Sequence, residues 1–136
     1  MLKPRPWWLF FIGSSRWVTL YPNIYYPNYL SNEYEHLEII KHEQVHLEQQ
    51  KTGLATWFLK YIFNRKFRLD QEAEAIAAEL LSLSNVETRA YLLNSYCIYL
   101  SNSSYFWAAR SSEEARVAIN SKLEISKKSK QSNNFN

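Results

Sequence analysis

The chain has 136 residues, enough for one hydrophobic core but not for two comfortable domains, so a single domain over residues 1–125 is expected. Its formal charge of +3 equals the contribution of Lys127, Lys128 and Lys130, so the rest of the chain balances to about zero and no nucleic-acid footprint is expected. Two glycines leave little room for a turn-rich all-β fold, and Cys97 stands alone, which excludes an intrachain disulfide and a cysteine zinc cluster.

Lys3 and Arg5 precede the apolar run Trp7–Ile12, but that run is short, prolines interrupt its approach and no small-residue cleavage site follows. With no apolar stretch near the roughly 18 residues a span requires, neither a signal peptide nor stable membrane insertion is expected, and the location expected is cytoplasmic. Trp7–Ile12 and Arg16–Tyr21 flank Gly13-Ser14-Ser15 and read as a β-hairpin, with Ile24–Tyr26 as a third short strand. A strand beside the helices could offer its open edge to an extended peptide.

Asn32 and Glu35 have capping-box-like spacing for a first helix that runs to about Gln50. Ile39, His42, His46 and Gln49 form one stripe, and Leu37, Ile40 and Leu47 lie on another side. A helix with two such sides is expected to be central and packed between other elements. Gly53 separates it from a second helix, Leu54 to about Phe63, whose apolar character reads as a core helix rather than a membrane-surface one. Asn64-Arg65-Lys66-Phe67-Arg68 reads as a polar connection, and Asp70 as the N-cap of a third helix, Gln71 to about Leu83, with Ala73, Ile76, Ala77 and Leu80 as its core stripe. Ser84 with Glu87 caps a fourth helix ending at Leu100, Ser101–Ser104 is a loop, and Ser111 with Glu114 starts a fifth helix ending near Ile125. Residues 126–136 are basic, poor in apolar residues, and expected to be disordered. The fold class expected is α+β, mainly α: a small N-terminal antiparallel β-hairpin or sheet packed on a helical bundle around a central helix.

That central helix carries His42-Glu43-Gln44-Val45-His46. Residues four apart lie about 40° from one another around a helix, so His42 and His46 present two imidazoles on one face, one turn apart, as a tetrahedral zinc ion requires. Glu43, about 100° round from His42, is placed to act on a water at such an ion rather than to ligate. A catalytic site needs a third protein ligand. His36 points about 240° away from His42, which leaves a carboxylate from another helix, and Glu72 and Glu74 stand out. Those two lie about 200° apart, so only one can face the metal, and helix geometry alone does not choose between them.

His-Glu-x-x-His, the His46-Leu47-Glu48-Gln49-Gln50 continuation, the aromatic second helix and the Glu72-Ala73-Glu74-Ala75 segment together resemble the gluzincin metallopeptidases, in particular the small minimal versions of phage and bacterial genomes. The resemblance covers roughly Arg16 to Ala78. It implies zinc held by His42, His46 and Glu72, with Glu43 as the general base of peptide-bond hydrolysis on a peptide or protein substrate. Ile76 stands where such proteins carry an Asp, a departure that removes a carboxylate able to orient a ligand histidine. Gluzincins commonly add a His or Tyr that stabilises the oxyanion, and Tyr91, Tyr96, Tyr105 and Arg68 are the candidates for that task. The alternative reading is a protein that binds zinc without turnover and serves a structural or interaction role.

Overall fold

The computed structural model describes residues 1–7, 16–27 and 37–133. Over these the chain is α+β and mainly α: strands β1 (Leu2–Pro4), β2 (Val18–Leu20) and β3 (Asn23–Tyr26), followed by helices α1 (Leu37–Gln50), α2 (Leu54–Phe63), α3 (Arg65–Ser82), α4 (Val86–Leu100) and α5 (Ser112–Asn133). Most of the expected first hairpin strand, its Gly13-Ser14-Ser15 turn, the Asn32–Glu35 cap and His36 lie outside the described residues. The sheet has the order β1-β3-β2, with β2 antiparallel to β3 and β1 parallel to it. The parallel strand departs from the purely antiparallel expectation. Pro4 does not prevent it, because β1 is an edge strand and a missing N–H is tolerated there.

The core is built on α3. Ala73, Ile76, Ala77 and Leu80 are buried, as their spacing predicts, and Ile76 and Leu80 cluster with Cys97, Leu100, Ala108, Ala115 and Ile119 of the C-terminal segment. The helix starts earlier than expected. Asn64 accepts a hydrogen bond from the Phe67 amide at 3.0 Å and so satisfies a first-turn donor that Asp70 would have served further along. Asp70 instead pairs with Lys122 at 2.6 Å. The supposed basic connection is therefore the first turn of α3. There Arg65 pairs with Glu114 at 2.9 Å, and the buried Arg68 donates to the backbone carbonyls of Tyr61, Ile62 and Phe106.

Helix ends differ elsewhere too. Asn85, not Ser84, caps α4 by accepting from the Thr88 amide at 2.8 Å. Ser111 does cap α5, accepting from the Glu114 amide at 3.1 Å, but the Glu114 carboxylate turns to Arg65 and to the Arg110 amide. Arg65 beside it holds that carboxyl below its ordinary range. α5 then runs on to Asn133, so residues 126–133 extend a helix rather than forming a disordered tail. Their lysines and serines offer no β-branched or glycine interruption to stop it. The expected Ser101–Ser104 loop runs into a 3-10 turn at Ser103–Tyr105.

α2 is not a core helix. Trp57 is buried, yet Leu59, Ile62 and Phe63 are exposed, because α2 lies on the outside of α3 and only its inner face is covered. α1 is central, as expected, but through polar groups. Its buried residues are His42, Glu43, His46 and Gln50, while Leu37 faces out. Gln50 joins α1 to β2 by donating to the Thr19 carbonyl at 3.1 Å and accepting from the Tyr21 amide at 2.9 Å.

Leu80 is fully buried at the middle of this core. Leu80→Ala is expected to lower unfolding stability by about 2–5 kcal/mol in urea titrations of the metal-free protein. A loss under about 0.5 kcal/mol would mean that α3 is not the core helix.

Candidate metal centre

α1 and α3 face one another across a cluster of buried ionisable groups. His42 Nε2 lies 3.6 Å from Glu72 Oε2, and His46 Nε2 lies 3.6 Å from Glu72 Oε1. One donor atom from each of His42, His46 and Glu72 falls within 4.8 Å of the others. Donors about 2.0–2.1 Å from a tetrahedral ion stand roughly 3.3 Å apart, so small shifts would close this triangle on a metal.

The remaining ring nitrogens are held away from that point. His42 Nδ1 is 3.1 Å from Glu79 Oε2, and His46 Nδ1 is 2.8 Å from Gln49 Oε1. Each acceptor favours a proton on Nδ1 and turns Nε2 towards Glu72. Gln49 is itself oriented, because its amide donates to the Gln71 carbonyl at 3.2 Å and to Glu74 at 2.9 Å. Glu74 is therefore exposed and supports His46 indirectly, whereas Glu72 is buried between the imidazoles.

Tyr61 donates a hydrogen bond to Glu72 Oε1, while the buried Glu72 Oε2 has no hydrogen-bond partner. A buried carboxylate oxygen without a partner is costly unless a cation or donor completes it. Together with two facing imidazole nitrogens, it makes a donor set that fits a divalent metal. A buried His42–His46–Glu72 group that could hold a metal ion is thus part of the fold.

Burial opposes protonation of both histidines, yet Glu72, Glu79 and Glu43 outweigh it at His42, raising it to about 10, and Glu72 and Glu43 outweigh it at His46, raising it above its ordinary value. Burial likewise opposes ionisation of Glu72, and the two histidines hold it well below the carboxylate range all the same. Protons thus occupy the place of a cation in the metal-free cluster, and a divalent ion must displace them.

The cluster opens into a cavity of about 500 Å³ whose lining includes Trp17, Thr19, Phe58, Tyr99, Tyr105 and Phe106. That is an ordinary size for a ligand site. Glu43 lines the same cavity and reaches β2, where Thr19 Oγ1 donates to its Oε2 at 2.5 Å, and its charge also acts on both imidazoles. Among the candidate donors, Tyr91 is exposed, Tyr96 gives its hydroxyl to Glu79 at 2.7 Å, and Arg68 is committed to backbone carbonyls. Tyr105 lines the cavity, and burial, with Glu72, Glu43 and Glu79 nearby, keeps its phenol protonated well above the usual range.

Glu79, Tyr61 and Thr19 are additions to the residues the sequence singled out. Glu79 had a signal: seven residues after Glu72, it returns to within about 20° of the same helix face. It supplies to His42 the carboxylate that Ile76 cannot, while Ile76 lies in the apolar core. Comparison with protein-family models, curated proteins and solved structures found no match for this chain.

Glu79→Gln is expected to weaken zinc binding by about 10–100-fold in competition titrations with a chelating dye, and Glu74→Gln by less, since Glu74 acts only through Gln49. Equal losses would contradict the orienting role of Glu79. The pH dependence has a definite sign. Because His42 is raised, zinc affinity should fall by at least about tenfold for each unit of pH lowered between 8 and 6. A flat profile would mean that His42 is neutral in the metal-free site.

Proposed function

We propose that the protein is a zinc-dependent peptidase acting on peptide or protein substrates. The observation that carries this reading is Glu43 beside the buried His42–His46–Glu72 group at the wall of a cavity. Two imidazoles and one carboxylate, with no thiolate, form a donor set used by catalytic zinc. A zinc ion bound there would supply Lewis acidity, bringing the pKa of a water towards about 7 and polarising a substrate carbonyl.

The roles of the chain's own residues follow from position. Glu43 takes the proton from the attacking water and delivers it to the departing amine, and Thr19 fixes the carboxylate for that transfer. Tyr105, protonated and facing the cavity, donates to the oxygen on which negative charge develops. Glu79 and Gln49 keep the two imidazoles turned towards Glu72. Arg16 to Leu20, which include β2, line the cavity, and among the described residues β2 pairs with β3 alone. Its other edge supports recognition of an extended backbone, with a share already taken by Gln50.

The test uses an unstructured protein as substrate for the zinc-loaded enzyme. Glu43→Gln should lower turnover by about 10²–10⁴-fold with bound zinc unchanged, and Tyr105→Phe should lower kcat by about 10²–10³-fold. Undiminished cleavage by Glu43→Gln would refute the general base, and a wild type that holds zinc but cleaves no peptide bond would refute the peptidase reading.

A further inference from the structure

α2 presents apolar residues on two faces, and only one is used. Trp57, Phe58 and Tyr61 turn towards the cavity, while Leu59, Ile62 and Phe63 are 60%, 58% and 81% exposed. Phe106 and Trp107, 67% and 60% exposed, adjoin them, because Arg68 binds the carbonyls of Ile62 and Phe106 at once, at 3.0 and 2.9 Å. Both aromatic residues have left-handed backbone, with φ of 50° and 48°, which bulky residues rarely adopt. The arrangement is enforced by bonds from Trp107 N to the Asn102 carbonyl at 2.9 Å and from Ala109 N to the Leu100 carbonyl at 2.8 Å. Five large apolar side chains are thereby displayed around the cavity rim formed by Phe58 and Phe106.

Residues 51–69 and 101–111 contain Lys51, Lys60, Arg65, Lys66, Arg68 and Arg110 and no Asp or Glu, although the whole chain carries only +3. The exposed charge on α2 and the first turn of α3 is carried by Lys60 and Lys66, whereas Lys51 is paired with Glu48, Arg65 is paired with Glu114 and Arg68 is buried. We propose that this face, Leu59, Ile62, Phe63, Phe106 and Trp107 flanked by Lys60 and Lys66, docks the protein on an anionic lipid surface. Apolar and aromatic side chains enter the boundary between headgroups and acyl chains, and the ammonium groups meet lipid phosphates and carboxylates. A two-fold contact between copies would instead set the same basic flank in both halves of the interface, with no acidic partner from this face. Among the described residues no helix is long and apolar enough to cross a membrane, and the ten residues of α2 extend only about 15 Å, so α2 lies on the surface. Docking here would set the cavity mouth close to the bilayer. This inference does not rest on the peptidase reading.

Co-sedimentation of the full chain with phosphatidylcholine vesicles, with and without phosphatidylserine, tests it. The protein should sediment with the phosphatidylserine vesicles, much less with phosphatidylcholine alone, and less as salt rises. Leu59→Ser/Phe63→Ser/Trp107→Ser and, separately, Lys60→Glu/Lys66→Glu should each lower the partition coefficient by about tenfold or more, with helical circular dichroism retained. Glu43→Gln should bind vesicles as the wild type does. No binding to either vesicle, equal binding to both, or binding unchanged in the Lys60→Glu/Lys66→Glu protein would overturn the proposal. So would a dimer dispersed by the serine substitutions, which would give the face to a second copy.

Discussion

The pairing of the α1 imidazoles with the α3 carboxylates is the contact on which the rest of the molecule depends. α1 buries four polar residues and no large aliphatic one, so the ordinary reason for a helix to sit at the centre of a domain is missing. Buried polar groups are tolerated only when partnered. Each partner comes from a specific element: Thr19 and Tyr21 on and beside β2 hold Glu43 and Gln50, and Glu72, Glu79 and the Gln71 carbonyl on α3 hold His42, His46 and Gln49. The sheet, α1 and α3 are thus joined through the residues that form the site. α3 supports this arrangement because its Ile76 and Leu80 lie about 40° and 80° round from Glu72, so one helix faces an apolar core and an ionic cluster side by side.

The cluster also explains why the residues around the histidines matter as much as the histidines. Three carboxylates face two imidazoles out of bulk water, and that excess of negative charge attracts protons or a divalent cation. Glu79 on one ring and Gln49 on the other determine which nitrogen faces Glu72. Tyr61 occupies one oxygen of Glu72 and leaves the other for a metal.

Much of this was legible in the residues, for reasons that differ by element. His42-Glu43-Gln44-Val45-His46 needs only helical geometry to bring two imidazoles together, and Ala73, Ile76, Ala77 and Leu80 need only apolar periodicity to be core. The choice of Glu72 over Glu74 could not come from periodicity, because it depends on where α1 crosses α3. Glu79 is hidden in the sequence because a lone acid among alanines and leucines reads as a solvent-facing position, although its seven-residue spacing from Glu72 places it on the same face. α2 misled in the opposite direction. Its apolar sequence matches a buried helix, and only the tertiary arrangement leaves Leu59, Ile62 and Phe63 uncovered. The start of α3 was set by a local competition in which Asn64, rather than Asp70, reached a free amide.

The central claim is that α1 and α3 together hold a metal through His42, His46 and Glu72. Anomalous diffraction from crystals grown with zinc tests it most directly. The account predicts one strong zinc peak about 2.0–2.1 Å from both Nε2 atoms and about 2.0–2.2 Å from a Glu72 carboxylate oxygen. A peak bound by Glu74 in place of Glu72, or no peak between the two helices, would contradict it.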